Sequence, residues 1–598
     1  MRHLGDFSVT PRMLLITALA LPVGAVSALV AWLLLRLIGL ITNAVFYQRL
    51  GTALVAPGAV HHNTLLVLLA PVAGGLIIGV MARYGSEKIR GHGMPEAIEA
   101  ILMGGSKVQP RVAVLKPVSA AVAIGTGGPF GAEGPIIMTG GAVGSLFAQF
   151  LHLTADERKV LLVSGATAGM AATFNAPLAS VVLAVELLLF EWRPRSLVPV
   201  AAAVAVASVV RRPLLGSAAL FPGVGAFHIT TSTYALCVVS GVVSGLLAIL
   251  ATALVYASED AFGRLPIHWM WWPAIGGLVI GIGGLIVPQA LGVGYNIIGA
   301  ELTGSIGLGL VGGILIVKTL IWSFSLGSGT SGGVLAPIFM IGGALGSLES
   351  HVFGTVGPGF WALIGLAGVI GGVMRSPFTG VVFAMELTHR YEAILPLIIG
   401  AVTAFAVSVL LLKRSVLTEK IARRGYHLTR EYDVDPLEIL FVGEVMTDDV
   451  LEFEDDLTVA EAVAVIGAPS DDGKGWRQRL YPVVGADGGL RGLITRRDLF
   501  TANTEGDGTA RLSELMREPA VLTHGDQTLR HVAELMADAE VSRIPVVDRA
   551  DESRVIGIVS LSQLLAGRQR DQIEARERER TLRVRLAVPS LGRAAVAE

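Results

Sequence analysis

From Met13 to about residue 412 the apolar residues come in long blocks separated by short glycine, proline or polar breaks; beyond about residue 440 they alternate with polar ones. MLLITALALPVGAVSALVAWLLL from Met13, TLLVLLAPVAGGLIIGVMA from Thr64 and LCVVSGVVSGLLAILATALVY from Leu236 each approach or exceed the roughly 20 residues that carry a helix across a bilayer. In the last part, YPVV and RIPVV read as half-buried strands between amphipathic helices. The pattern predicts an all-α polytopic membrane part followed by a water-soluble α/β part.

One block is unlike a plain spanning helix. GTGGPFGAEGPIIMTGGAVGS (Gly125–Ser145) holds eight glycines, two prolines and a single charge, Glu133. It also returns later in the chain. GPIIMTGGAVGSL (Gly134–Leu146) matches APIFMIGGALGSL (Ala336–Leu348) at an offset of 202, and NAPLASVVLAVEL (Asn175–Leu187) matches RSPFTGVVFAMEL (Arg375–Leu387) at an offset of 200. GHGMP aligns with GVGYN at 201, and Lys116 with Lys318 at 202. Four elements in one order at a nearly constant spacing mark a repeat, with halves of roughly 60–210 and 260–412. Repeated membrane halves with matched Gly/Pro interruptions are a transporter architecture, with the site where the halves meet. Broken helices persist at membrane depth only where they line a cavity or pack on protein. Their free N-terminal N–H groups and positive dipole ends attract anions. The expectation is an anion pathway held by backbone amides.

Composition and charge support this division. Mean hydropathy is +0.65 and 53 % of residues are hydrophobic, which excludes an ordinary soluble enzyme. Of 94 charged residues, 52 lie in Glu431–Glu598. The N-terminal MRHLGDFSVTPR leads into a retained helix rather than a cleaved signal. A lone cysteine, Cys237, excludes an intramolecular disulfide framework and a multi-cysteine metal site. No metal-ligand cluster or nucleophile–base pair stands in the hydrophobic part, so no catalytic residue, metal or required cofactor is expected, and no nucleic-acid partner. Basic flanks at Arg83–Arg90 and Lys413–Arg424 fit the positive-inside rule, and the soluble part is expected in the cytoplasm, with the membrane part in the inner (plasma) membrane.

GHGMP (Gly91–Pro95), GAEGP (Gly131–Pro135) and GVLAP (Gly333–Pro337) resemble the three anion-binding loops of CLC chloride channels and transporters. The two repeat segments ending in Leu187 and Leu387 are similar to further signatures of that family, and the resemblance runs from about Met13 to Gly425. It implies a homodimer with one pore per subunit, short tilted helices in two antiparallel halves, and chloride or a related anion as cargo. It also implies that Glu133 is the gating carboxylate; the alternative is a glutamate that merely caps a helix. Anion contacts then fall to His92, Gly93, Gly131, Ala132, Gly134, Val334 and Leu335.

The departures bear on mechanism. The family's central serine aligns with His92, which offers an N–H when neutral and a positive charge when protonated; either the ring serves a pH-sensitive site or it turns aside and leaves binding to amides. The tyrosine that shares this site in many relatives aligns with Leu417, which has no hydroxyl. Many proton-coupled members carry two consecutive glutamates where this chain has Glu186-Leu187. Leucine carries no proton, which favours a passive channel; a proton-coupled antiporter of the same fold is the alternative. Glu186 and Glu386 read as structural, paired with backbone amides. Lys116 either raises the local positive potential or snorkels outward.

Residues 442–502 and 511–566 resemble a tandem pair of CBS domains, after a linker at 431–441 and before a charged tail at 567–598. The likeness implies an adenine nucleotide held by Thr495, Asp498 and Ser560, with the pair regulating transport; a module for dimerisation and stability alone is the other reading. The insertion GAPSDDGKGWRQR from Gly467 reads as a surface loop.

Overall fold

The computed structural model describes residues 10–102, 104–425, 435–467 and 478–576. Most of the insertion and of the charged tail lies outside them. The chain divides into two units, one ending at Arg430 and one beginning at Glu431.

The first unit is helical throughout. Its first half comprises α1 (Arg12–Phe46), α2 (Thr64–Tyr84), α3 (Met94–Leu102), α4 (Pro110–Gly125), α5 (Glu133–Gln149), α6 (Ala155–Phe174), α7 (Pro177–Leu183) and α8 (Pro194–Leu215). The second comprises α9 (Thr231–Gly263), α10 (Trp272–Ile286), α11 (Tyr295–Leu302), α12 (Leu308–Gly327), α13 (Leu335–Phe353), α14 (Phe360–Met374), α15 (Pro377–Thr388) and α16 (Ile394–Leu411), followed by α17 (Val416–Arg423). Among the described residues eight helices are long and apolar enough to cross a bilayer. The correspondence extends past the residues that the sequence aligns: α5 packs on α6 as α13 does on α14, and α1 packs on α8 as α9 does on α16. The antiparallel halves meet where the starts of α5 and α13 are joined by an antiparallel bridge between Gly131 and Gly333.

Glycine sets the closeness of these crossings. A Cβ on Gly140 or Gly165 would stand 2.3 or 2.1 Å from the other's carbonyl oxygen, and Gly342 and Gly365 repeat the arrangement at 2.5 and 2.3 Å. Without a hydrophobic drive between helices in lipid, close backbone approach supplies the packing. The halves are also stitched at the ends of α7 and α15. The N–H groups of Leu178 and Ala179 donate to Glu386 at 2.9 and 2.8 Å. Those of Phe378 and Thr379 donate to Glu186 at 3.3 and 2.8 Å. Each glutamate therefore caps the helix of the opposite half, as the structural reading of this pair requires.

The second unit holds two matched sheets. Strand β1 (Phe453–Glu454) runs parallel to β2 (Leu480–Val484), which pairs antiparallel with β3 (Leu490–Thr495). β4 (Thr523–His524), β5 (Arg543–Val547) and β6 (Val555–Ser560) repeat that order and even its register shift. The boundaries 442–502 and 511–566 do not separate the two cores. Phe441 and Thr447 bridge to Thr528 and Ile558, whereas Arg511 and Arg517 bridge to Thr458 and Leu493. Val442 is buried in the second core and Leu512 in the first. The segment leading into each motif thus completes the other motif.

Replacing Gly365 by valine should push α13 off α14 and destabilise the membrane unit by about 2 kcal/mol or more. Thermal unfolding of the purified protein in detergent, read as loss of monodispersity, checks this.

Candidate anion site at the meeting of the halves

The loop ahead of α3 is shaped by glycine on both sides of His92: Gly91 and Gly93 have φ of +81° and +87°, which side-chain-bearing residues rarely adopt. In the second half Gly292 and Gly294 do the same at +69° and +85°. Each loop is held by a fully buried lysine. Lys116 Nζ donates to the carbonyls of Ile89 and Gly91 at 2.8 and 2.7 Å, and Lys318 Nζ to those of Ala290 and Gly292 at 2.8 and 2.7 Å. Lys116 is 0 % exposed, so the snorkelling alternative is corrected: two carbonyl oxygens inside the protein replace water at its ammonium.

His92, Gly131, Ala132, Glu133, Gly134, Val334 and Leu335 are all buried, brought together where the starts of α3, α5 and α13 converge. A Cβ on Gly134 would collide with the His92 carbonyl and approach the Gly333 Cα. The Glu133 carboxylate folds back over Gly131 and faces the backbone N–H groups of Glu133 and Ala336. The Tyr295 hydroxyl donates to its Oε1 at 3.4 Å, while Oε2 is buried without a hydrogen-bond partner among the described residues. Nδ1 of His92 is likewise buried and unpartnered.

Two of the expected donors are corrected. The N–H of Gly93 is taken by Glu96 Oε2 at 3.0 Å, and that of Gly131 by the Gly333 carbonyl at 3.2 Å. Both glycines shape the loops rather than offer amides. Glu96 is the missed residue here, three positions beyond the amide that it caps, a capping-box spacing. It is held by Lys420 at 3.5 Å and Arg424 at 2.9 Å. Beside it opens a cavity of about 230 Å³ whose lining includes Lys88, Lys107 and Arg424. Tyr295 is the second missed residue. The alignment of GHGMP with GVGYN carries the signal, and rings of Phe174 and Phe221 edge onto the tyrosine. Leu417, on α17, is fully buried and brings no hydroxyl.

In the second unit Thr495 caps the helix Arg496–Glu505: its hydroxyl accepts from the Asp498 N–H at 3.1 Å and donates to the Asp498 carboxylate at 2.8 Å. Thr495 lines an open cavity of about 470 Å³ with Arg479, Arg496, Arg497, Phe500 and Arg543, and no carboxylate is among these lining residues. Burial and the charge of Arg479 hold the Arg543 guanidinium below its ordinary range. Cations in the first turn of a helix oppose its dipole, so this cluster suits an anion. Ser560 does not line that cavity; its hydroxyl is engaged with Gln563 at 2.8 Å.

Residues 74–409 match the family described as voltage gated chloride channel, and residues 442–505 and 512–569 match CBS domains. The chain is 30 % identical over 354 residues to the voltage-gated ClC-type chloride channel ClcB of Salmonella typhimurium, covering 57 % of this chain and 84 % of that one. It is 30 % identical over 428 residues to the H(+)/Cl(-) exchange transporter ClcA of Citrobacter koseri, covering 67 % and 87 %. A slow cyanobacterial Cl-/H+ antiporter has the same fold at a TM-score of 0.60 and 22 % identity, over 70 % of this chain and 99 % of that one. A eukaryotic CLC transporter does so at 0.58 and 19 %, over 92 % and 98 %. By these matches the chain belongs to the voltage gated chloride channel family and carries a tandem pair of CBS domains.

Proposed function

We propose that this chain is a homodimeric anion pathway for chloride or a related anion, passive in mode and gated by Glu133. The family is one of anion transport, and the chain is a multi-span membrane protein. What carries the gate reading is the position of one carboxylate, buried and half-satisfied, where the ends of α5 and α13 aim amides. A charge at such depth costs roughly 2.5–3.5 kcal/mol unless compensated. An ionised Glu133 occupies the place of an anion; a protonated or displaced one leaves the amides of Glu133, Gly134, Leu335 and Ala336 to the cargo. Passive conduction is supported by the lack of a carboxylate at position 187, where many proton-coupled members carry one. Leu187 is a buried hydrocarbon, and Glu186 is committed to capping α15. One observation favours a proton-coupled antiporter instead: the Nδ1 of His92, without a hydrogen-bond partner among the described residues, is a titratable nitrogen in the same buried loop cluster as Glu133.

The second unit is proposed to lie in the cytoplasm, a reading that the basic flanks support, and to bind an adenine nucleotide. Thr495 and Phe500 would meet the nucleoside, and the four arginines of that cavity its phosphates; Asp498 positions Thr495. Ser560 contributes to a separate place in the pair.

In proteoliposomes, an inward chloride gradient should leave a proton gradient unformed, and Glu133→Ala should raise chloride flux and abolish its dependence on pH. Uphill proton movement driven by chloride decides for the antiporter. With Glu133 in place, His92→Ser should change the pH profile of flux if the imidazole faces the ion; an identical profile assigns that site to amides alone. Arg543→Ala should weaken binding of adenosine triphosphate to the full-length protein about tenfold, measured by calorimetry, with circular dichroism unchanged.

A further inference from the structure

Glu301, near the end of α11, is 0 % exposed, and neither of its carboxylate oxygens has a hydrogen-bond partner among the described residues. Ionisable side chains at membrane depth are expensive and mark function. The scaffold itself does not need this one: the first half builds the equivalent short helix with Ala100 at the aligned position. The first half does bury a glutamate, Glu96, but compensates it with Lys420, Arg424 and the Gly93 N–H. Glu301 has no such shell.

Its surroundings point toward the gate. The carboxylate lies over Gly343 of α13, where a Cβ would stand 2.3 Å from Oε2. Ala336, whose N–H faces Glu133, lies seven residues earlier on the same face of α13, roughly 10 Å away along the axis. Met340 stands between them, its sulfur beside Gly294, and Lys318 Nζ reaches within 3.9 Å of that same glycine's Cβ position. Lys318 acts electrostatically on both Glu301 and Glu133. The other helices packed on α11, namely α13 and α14, bring no further charge to Glu301.

Glu301 stands close in sequence to an exposed loop. α11 ends in the loop 303–307, where Gly304, Ser305 and Gly307 are exposed. The far end of α12 meets Ser258 of α9, and Asp260 on that same end of α9 pairs with Arg423 of α17. The 20 residues of α12 span about 30 Å, so the loop at its start opens on the membrane face opposite α17.

We propose that Glu301 is a second proton-binding carboxylate of the pathway, whose charge, acting with Lys318, sets how readily Glu133 takes up a proton. The proposal rests on the reading of Glu133 as the gate. An ionised Glu301 offsets the Lys318 ammonium and makes protonation of Glu133 easier. A protonated Glu301 leaves the full Lys318 charge to hold Glu133 ionised in the site. Acid on the face opposite α17 therefore acts twice, with opposite signs, and broadens the pH range over which the gate responds.

The test is chloride flux against pH in proteoliposomes for wild type, Glu301→Gln, Glu301→Ala and Glu133→Ala, and for Glu301→Gln combined with Glu133→Ala. Removing the Glu301 charge should move the flux midpoint about one pH unit toward acid in both single variants; alanine is the residue that the first half carries there. In the Glu133→Ala background the Glu301 substitution should change nothing. An unchanged midpoint in Glu301→Gln or in Glu301→Ala overturns the proposal, as does a midpoint shift that survives without Glu133. If Glu133→Ala alone leaves the pH profile of wild type, the gate reading fails instead.

Discussion

Two buried ammonium groups, those of Lys116 and Lys318, each hold a pair of carbonyl oxygens from the loop that precedes a short helix. Helix breaks at membrane depth leave backbone groups without partners and without water. The lysines answer the carbonyl half of that problem, and the starts of α3, α5 and α13 converge in the middle of the protein. Helix starts carry the positive ends of their dipoles, and a carboxylate, Glu133, is what the chain itself sets among them. The glycines at 91, 93, 292 and 294 allow the chain to take this path, and the glycine-to-carbonyl crossings of α5 on α6 and α13 on α14 hold the helices close enough for the ends to converge.

A repeated scaffold does not make a repeated site. The halves share their lysine clamps, their crossings and the reciprocal caps of Glu186 and Glu386, yet they differ wherever charge is spent. Glu133 has no counterpart on α13. Glu96 is wrapped in cations, whereas Glu301 is left bare. Tyr295 brings a hydroxyl to the carboxylate where the first half has Met94. Symmetry explains the fold, and its breaking explains where function concentrates, since an unpaired carboxylate must be offset by something that the scaffold alone does not require. The same contrast runs through the CBS pair, whose sheets match strand for strand while arginines crowd the end of one motif.

Much of this was legible in the chain because it is written locally. Apolar blocks state their own span, glycine and proline mark their own breaks, and a repeat at an offset near 200 residues announces two equivalent halves. The loops Gly91–Pro95, Gly131–Pro135 and Gly333–Pro337 could be named as one site because each resembles an anion-binding loop of the family, in the family's order. Only the tertiary structure decided which amides are free, since Gly93 and Gly131 lose theirs to partners 3 and 202 positions away, Glu96 and Gly333. Nor could the sequence assign Lys116 to a carbonyl clamp, pair Tyr295 with Glu133, exchange the lead-in segments of the two CBS motifs, or show that Glu301 has no hydrogen-bond partner among the described residues. Residue type and spacing fix what a side chain is able to do; burial and the neighbours brought by distant segments fix what it is left to do.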